Sequence, residues 1–301
     1  MYHQILAPLD GSRFAETALP LALSLSRRTG AALHFVMVQE PIPSFAYDEW
    51  EGAAQRWSEE YLSNLVERVR EYAGGNVTTA LRSGQVIETL QEEAEAKEAD
   101  LVVMATHGRG ALSRMWLGSV ADAFIRHTDR PILLVRPESD DPEAPANPTA
   151  GFHVEKVLIP LDGSGLAESI LPYAVEFGKL FDAAYHLVRV VPFPMEVASP
   201  YLPDTIQMNQ EVLDQGKRLA EAYLEEQAGR LRKSNLSVSF GVRVDVQPGH
   251  GILQESEEAG CDFIAMATHG RGGLSRAILG SATDKVIRGT KVPLLLSHPR
   301  E

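Results

Sequence analysis

Two stretches of this chain combine small residues, hydroxyls and an acid at a spacing suited to holding an anion. Met104-Ala105-Thr106-His107-Gly108-Arg109-Gly110 leads, nine residues after Gly108, into Gly118-Ser119-Val120-Ala121-Asp122. Met266-Ala267-Thr268-His269-Gly270-Arg271-Gly272 leads, at the same spacing, into Gly280-Ser281-Ala282-Thr283-Asp284. Glycines let a backbone turn tightly and let a ligand approach its N–H groups. A Ser-x-x-acid sequence opening a helix reads as a cap, worth about 1 kcal/mol. The same helix start points N–H groups and a partial positive charge outward, which suits an anion. The two readings are compatible, and the glycine placed just before each cap favours the anion site. His107 and His269 sit inside the loops, either as proton donors beside a phosphate or, more commonly for such residues, as packing and backbone-bonding groups. Arg109, Arg114, Arg271 and Arg276 are candidate counter-charges or ordinary solvated arginines.

Other chemistries find little support. There is no G-x-x-x-x-G-K-[ST], and the dinucleotide pattern G-x-G-x-x-G fails at its last position, where Ser113 and Ser275 stand. No G-x-S-x-G elbow, no H-E-x-x-H helix and no His/Cys/Asp metal spacing occurs. An enzyme would need a base or water-positioning residue, for which only His107, His269 or an unplaced acid qualifies. Cys261, the single cysteine, lies in an apolar run and reads as a buried core residue. Lys and Arg number 28 against 41 Asp and Glu, a net charge of −13, with no basic block. That argues against nucleic-acid and anionic-membrane partners. A lone cysteine suits a reducing compartment, and no apolar run approaches the roughly 20 residues of a membrane span. With no basic-plus-apolar leader pattern at Met1–Pro8, these features imply a cytoplasmic protein.

The elements that must position these loops are written twice. Met104–Pro137 and Met266–Pro299 are identical at 21 of 34 ungapped positions. Pro8-Leu9-Asp10-Gly11-Ser12 matches Pro160-Leu161-Asp162-Gly163-Ser164, and each is soon followed by an Ala-Glu pair. The second repeat is about ten residues longer, mostly within the proline-rich stretch from Pro192 to Pro203. Residues 1–140 form one expected domain, 141–152 a Pro- and acid-rich linker, and 153–301 the second domain. Apolar runs at Ile5–Leu9, Ala32–Val38, Val77–Leu81, Leu101–Ala105 and Pro131–Val135 alternate with helical patterns at Ala15–Thr29, Glu49–Tyr72 and Val86–Ala99. The second repeat has strand-like runs at Val157–Leu161, Tyr185–Val191, Val238–Val246, Phe263–Ala267 and Pro293–Ser297, and a long helical pattern at Asp204–Lys233. This alternation predicts an α/β fold with a parallel sheet covered on both faces. In such sheets ligands bind beyond the carboxyl ends of the strands, where strand order reverses. Asp10 and Asp162 end the first strands, and the glycine loops follow the fourth.

At these loops the chain resembles the universal stress protein family, whose nucleotide-binding members carry G-x2-G-x9-G-[ST] after the fourth strand. Both repeats keep that spacing and depart from it once, with Ala105 and Ala267 in place of the first glycine. The resemblance implies two copies of a five-stranded Rossmann-like sheet with strand order 3-2-1-4-5. It also implies an adenine nucleotide, ATP with Mg2+, at the end of each sheet, in a regulatory stress-response protein, the alternatives being a slow ATP hydrolase or phosphoryl-transfer protein, or a nucleotide-free interaction scaffold that keeps the glycine loop for packing. By that pattern Pro8, Leu9 and Asp10, with Pro160, Leu161 and Asp162, lie against the adenosine, the aspartates at the ribose. Val38 and Val190 lie against adenine. Met104 to Gly110 with Gly118, Ser119 and Val120, and Met266 to Gly272 with Gly280, Ser281 and Ala282, hold the triphosphate. The last strands, Pro131–Val135 and Pro293–Ser297, would pair within the chain as a pseudo-dimer, with a further homodimer open.

Overall fold

The computed structural model describes residues 2–41, 48–106, 117–137, 151–193, 205–268 and 279–298. His107 to Gly110, His269 to Gly272, the four loop arginines and most of the 141–152 linker lie outside the described residues. Contacts divide the chain into two compact units, Met1–His153 with Lys291–Leu296, and Val154–Thr290 with Ser297–Glu301.

In the first repeat the chain runs β1 (Gln4–Pro8), α1 (Arg13–Glu16), α2 (Leu19–Thr29), β2 (Ala32–Gln39), α3 (Asp48–Val69), β3 (Val77–Ser83), α4 (Val86–Ala96), β4 (Leu101–Ala105), α5 (Ser119–His127) and β5 (Ile132–Val135). Its strands pair in parallel in the order β3-β2-β1-β4-β5, as expected for this fold. The reversal of order falls between β1 and β4. The second repeat runs β6 (Lys156–Pro160), α6 (Gly165–Glu168), α7 (Leu171–Lys179), β7 (Ala184–Val191), α8 (Thr205–Arg232), β8 (Val238–Val244), α9 (Pro248–Glu258), β9 (Phe263–Ala267), α10 (Ser281–Gly289) and β10 (Leu294–Ser297). The second unit repeats the parallel order β8-β7-β6-β9. Leu294–Leu296 belong to the first unit, where they pair antiparallel with β5.

The strands are buried on both faces, which is why they read as unbroken apolar runs. Ile5, Leu6, Ala7, Leu101, Val102 and Val103 are fully inaccessible, and so are their counterparts Val157, Leu158 and Ile159. Cys261 is buried as expected, and burial pushes its thiol up to about 12. The helical pattern at Ala15–Thr29 is not one helix. It breaks after Glu16 and restarts at Leu19, with Pro20 in the first turn of α2. Proline has no N–H to return to the preceding turn and its ring clashes there, so the chain must begin a new helix. Pro172 does the same between α6 and α7. Gly30 closes α2 in the left-handed region at φ 75°, its N–H donating to the Ser26 carbonyl.

Between β2, β3 and α4 lies a polar cluster inside this apolar core. Fully buried His34 shares its Nδ1 with Thr78 Oγ1 at 2.8 Å and its Nε2 with Glu93 Oε1 at 2.8 Å. Arg82 Nε donates to the second oxygen of Glu93 at 2.6 Å. The second repeat rebuilds the cluster with His186, Ser239, Glu255 and Arg243, at 2.8, 2.7 and 2.6 Å. Each polar atom finds a partner, so the cluster ties its helix to two strands without leaving a buried charge unpaired. Burial outweighs the pull of Glu93 and holds His34 below its ordinary pKa, with Lys97 and Arg82 acting in the same direction. Burial works against Glu93 too, yet hydrogen bonds from Arg82 and His34 keep its carboxyl below the ordinary value.

Below about pH 6.5 the unfolded His34 ring takes up a proton that the folded ring resists, so stability present above that pH falls as pH drops. The unfolding free energy of the wild type, measured in urea, is expected to decline between pH 7.5 and 5.5, by at most about 1.4 kcal/mol per pH unit for one ring. His34→Gln should flatten that dependence. An unchanged pH slope in the variant would show that the ring does not carry it.

Candidate functional site

The carboxyl ends of β1 and β2 are locked together by the Leu9 N–H donating to the Val36 carbonyl at 2.9 Å, and those of β6 and β7 by Leu161 and Val188 at 2.8 Å. Beyond them the chain turns sharply. Gly11 and Gly163 sit at φ 78° and 85°, where a side chain would be strained. Asp10 Oδ1 accepts the Ser12 N–H at 2.9 Å, and Asp162 Oδ1 accepts both the N–H and the hydroxyl of Ser164 at 2.8 and 2.6 Å. Ser12 and Ser164 then cap α1 and α6. Both aspartates are held, half-buried, at the edge where the strand order reverses.

The fourth strands end in the same way. Thr106 N–H donates to the Val135 carbonyl at 2.9 Å, and its own carbonyl accepts the Gly118 N–H at 2.7 Å. Thr268 does the same with Ser297 at 3.0 Å and Gly280 at 3.2 Å. The two ends of each glycine loop are therefore pinned together, whatever the residues between them do. The helix starts differ from the expected serine cap. Gly118 and Gly280 are the N-cap residues of α5 and α10, with no side-chain cap hydrogen bond, and Ser119 and Ser281 are the first helical residues. Asp122 and Asp284 do not close a capping box. They pair with Arg126 and Arg288 one turn on, at 3.0 Å. A serine already in helical conformation cannot turn its hydroxyl onto the N–H groups ahead of it, so the first turn keeps its donors uncapped.

Burial separates the expected contacts into two kinds. Leu9, Met104, Ala105, Thr106, Leu161, Met266, Ala267 and Thr268 are buried, so a ligand at the edge would meet their backbone. Asp10, Val38, Gly118, Ser119 and Val120 are accessible, as are Asp162, Val190, Gly280, Ser281 and Ala282. Pro8 is half-buried and Pro160 buried.

One group next to the aspartates was not singled out from the sequence. Buried Glu16 accepts the Tyr61 hydroxyl at 3.0 Å and a two-pronged bond from Arg68 at 3.3 and 2.8 Å. Glu168 accepts the Tyr223 hydroxyl at 2.8 Å and the Gln227 amide at 3.3 Å. Burial, reinforced by these carboxylates, raises both phenols far above their ordinary range, so they remain hydrogen-bond donors. The charges of Asp10 and Asp162 act on them as well. The repeated Ala-Glu pair was the signal, legible as a match between repeats but not as half of a tyrosine–carboxylate pair.

The family model described as the universal stress protein family matches residues 1–136 and again 153–298. The chain belongs to the universal stress protein family. A universal stress protein of Mycobacterium tuberculosis is 29% identical over 264 residues, covering 85% of this chain and 82% of the relative. One of Mycolicibacterium smegmatis is 24% identical over 308 residues, covering 98% and 97%. The fold matches the crystal structure of a universal stress protein from Archaeoglobus fulgidus with a TM-score of 0.73 at 18% identity, over 98% of both chains. The tandem pair of repeats is thus a form of this family in which both domains lie on one chain.

Removing the shared acceptor tests the tyrosine pair. Glu16→Ala is expected to lower stability by about 1–3 kcal/mol, because two donors lose their partner and one is buried. Arg68→Ala should cost about 0–1 kcal/mol, since that guanidinium is half exposed. Equal losses in urea unfolding would mean that the arginine, and not Tyr61, carries the interaction.

Proposed function

We propose that this universal stress protein binds an adenine nucleotide, ATP with Mg2+, at the carboxyl edge of each unit's sheet, and that occupancy regulates its contacts in the stress response. The observation that carries the reading is the glycine at each helix start. Gly118 and Gly280 lie at φ −67° and −59°, a conformation open to any residue. Among the described residues, a Cβ added at Gly280 would first meet the Thr268 carbonyl oxygen, at 3.4 Å. Neither backbone angle at these positions requires glycine, and among the described residues no neighbour requires it at Gly280. What glycine does provide is close approach to an uncapped, electropositive helix end, and phosphate uses that.

In this reading the N–H groups at the starts of α5 and α10 hold the phosphates, each bond to a charged oxygen contributing about 1.5–3 kcal/mol. Asp10 and Asp162 accept from ribose hydroxyls, and Val38 and Val190 give adenine an apolar wall. Mg2+ would be held mainly by phosphate oxygens and water, and would neutralise charge between the phosphates. Such local bonds outweigh repulsion from a chain of net charge −13, which salt screens beyond about 8 Å. The proposal includes a cytoplasmic location. It is supported by the single cysteine, and among the described residues no helix is long and apolar enough to cross a membrane.

Protein purified without added nucleotide, then denatured, is expected to release an adenine nucleotide identifiable by mass spectrometry. The stripped protein should take up about two equivalents of Mg-ATP in calorimetry, and Gly118→Glu and Gly280→Glu should each remove one. Ligand at 100 times Kd should add about 2.7 kcal/mol of stability at each site. No released nucleotide, no heat and no thermal shift together would overturn the reading.

A further inference from the structure

Between β8 and α9 the chain runs Asp245-Val246-Gln247-Pro248-Gly249-His250-Gly251, and three contacts set it against the carboxyl edge of the second unit's sheet. The Asp245 N–H donates to the Val191 carbonyl at the end of β7, at 3.2 Å. Gly251 packs on Val190, where a Cβ would stand 3.0 Å from Val190 Cγ1 and 3.2 Å from Asp245 Cβ. Gly249 packs on the start of α10, where a Cβ would stand 2.9 Å from the Ala282 carbonyl oxygen and 2.6 Å from Lys285 Cβ. His250 is thus held between a residue that abuts Val190 and one that abuts Ala282, the base and phosphate ends of the proposed site.

The ring of His250 is half exposed, and its Nδ1 lies 2.6 Å from Asp245 Oδ2. The other oxygen, Oδ1, accepts the Gln247 N–H at 2.7 Å. These two bonds, the backbone one first, hold the Asp245 carboxyl below its ordinary value. A carboxylate only accepts, so the proton it shares with the ring sits on Nδ1, and the neutral imidazole keeps Nε2 as an acceptor. The first repeat starts α4 with Ser83 and Glu88 at the positions of Asp245 and His250, so the fold does not require the pair.

We infer that His250 is a specificity-determining residue of the second site, accepting through Nε2 from an exocyclic amino group of the bound base, and that Asp245 is the positioning residue that fixes its tautomer. This rests on the nucleotide reading above and names the base class, a 6-aminopurine over a 6-oxopurine. A 6-oxo group would set one acceptor against another, and a site built around a hydrogen bond rejects a ligand that leaves its polar groups unpaired.

The test uses the full Gly118→Glu chain, in which only the second site takes nucleotide, titrated with Mg-ATP and Mg-ITP at about pH 8, where imidazole is neutral. ATP is expected to bind about tenfold more tightly than ITP, and His250→Ala to remove most of that preference. Asp245→Asn separates positioning from mere support. Its oxygen takes the Gln247 N–H, its NH2 then faces Nδ1, and the ring proton moves to Nε2, so the preference should invert toward ITP. An unchanged ratio in His250→Ala, or an Asp245→Asn chain that keeps its preference for ATP or loses both nucleotides alike, would overturn the inference while leaving nucleotide binding intact. Binding confined to the first site would also overturn it alone. Failure of both the wild type and the Gly118→Glu chain to bind ATP would instead overturn the nucleotide reading, and this inference with it.

Discussion

Much of the site's geometry depends on one backbone hydrogen bond in each repeat, from the glycine N–H at the helix start to the threonine carbonyl at the end of the fourth strand. A parallel sheet delivers all its carboxyl ends to one edge, but does not by itself aim a helix at that edge. The bond from Gly118 to Thr106 does. It fixes the start of α5 against the strand that precedes it by more than ten residues, so the helix end and the β1 aspartate belong to one frame.

The sheet was legible because parallel strands buried on both faces leave unbroken apolar runs, and duplication supplied each run a second time. Leu101–Ala105 and Phe263–Ala267 appear in the structure with the bounds the sequence suggests. The helix pattern at Ala15–Thr29 was misleading because apolar spacing continues across Pro20, and periodicity does not register a missing N–H. The cap was displaced by one residue for a related reason. Serine is the usual N-cap, but here the extended residue before it is glycine, so composition pointed to the wrong neighbour.

The polar clusters were illegible for a different reason. His34 finds Thr78 and Glu93, 44 and 59 residues away, and Glu16 finds Tyr61 and Arg68 at 45 and 52. No local pattern records such pairs. Only the topology, which brings β2, β3 and α4 together, or α1 and α3, makes partners of them. Their recurrence in the second repeat shows that the fold can rebuild the same buried polarity with Ser239 for Thr78 and Gln227 as an added donor. Charge compensation is the part that drifts, because several surrounding positions can supply it.

The aspartate–arginine pairs of α5 and α10 have a consequence for anything negative that arrives. An acid in the first turn complements the helix dipole, but a bare carboxylate there would also stand in the path of a phosphate. Arg126 takes both oxygens of Asp122 at 3.0 Å, and Arg288 Nε lies 3.0 Å from both oxygens of Asp284. Each pair is close to neutral when seen from the strand edge. An anion brought to that helix end would thus face peptide dipoles behind a shielded acid, in a chain whose net charge would otherwise turn it away.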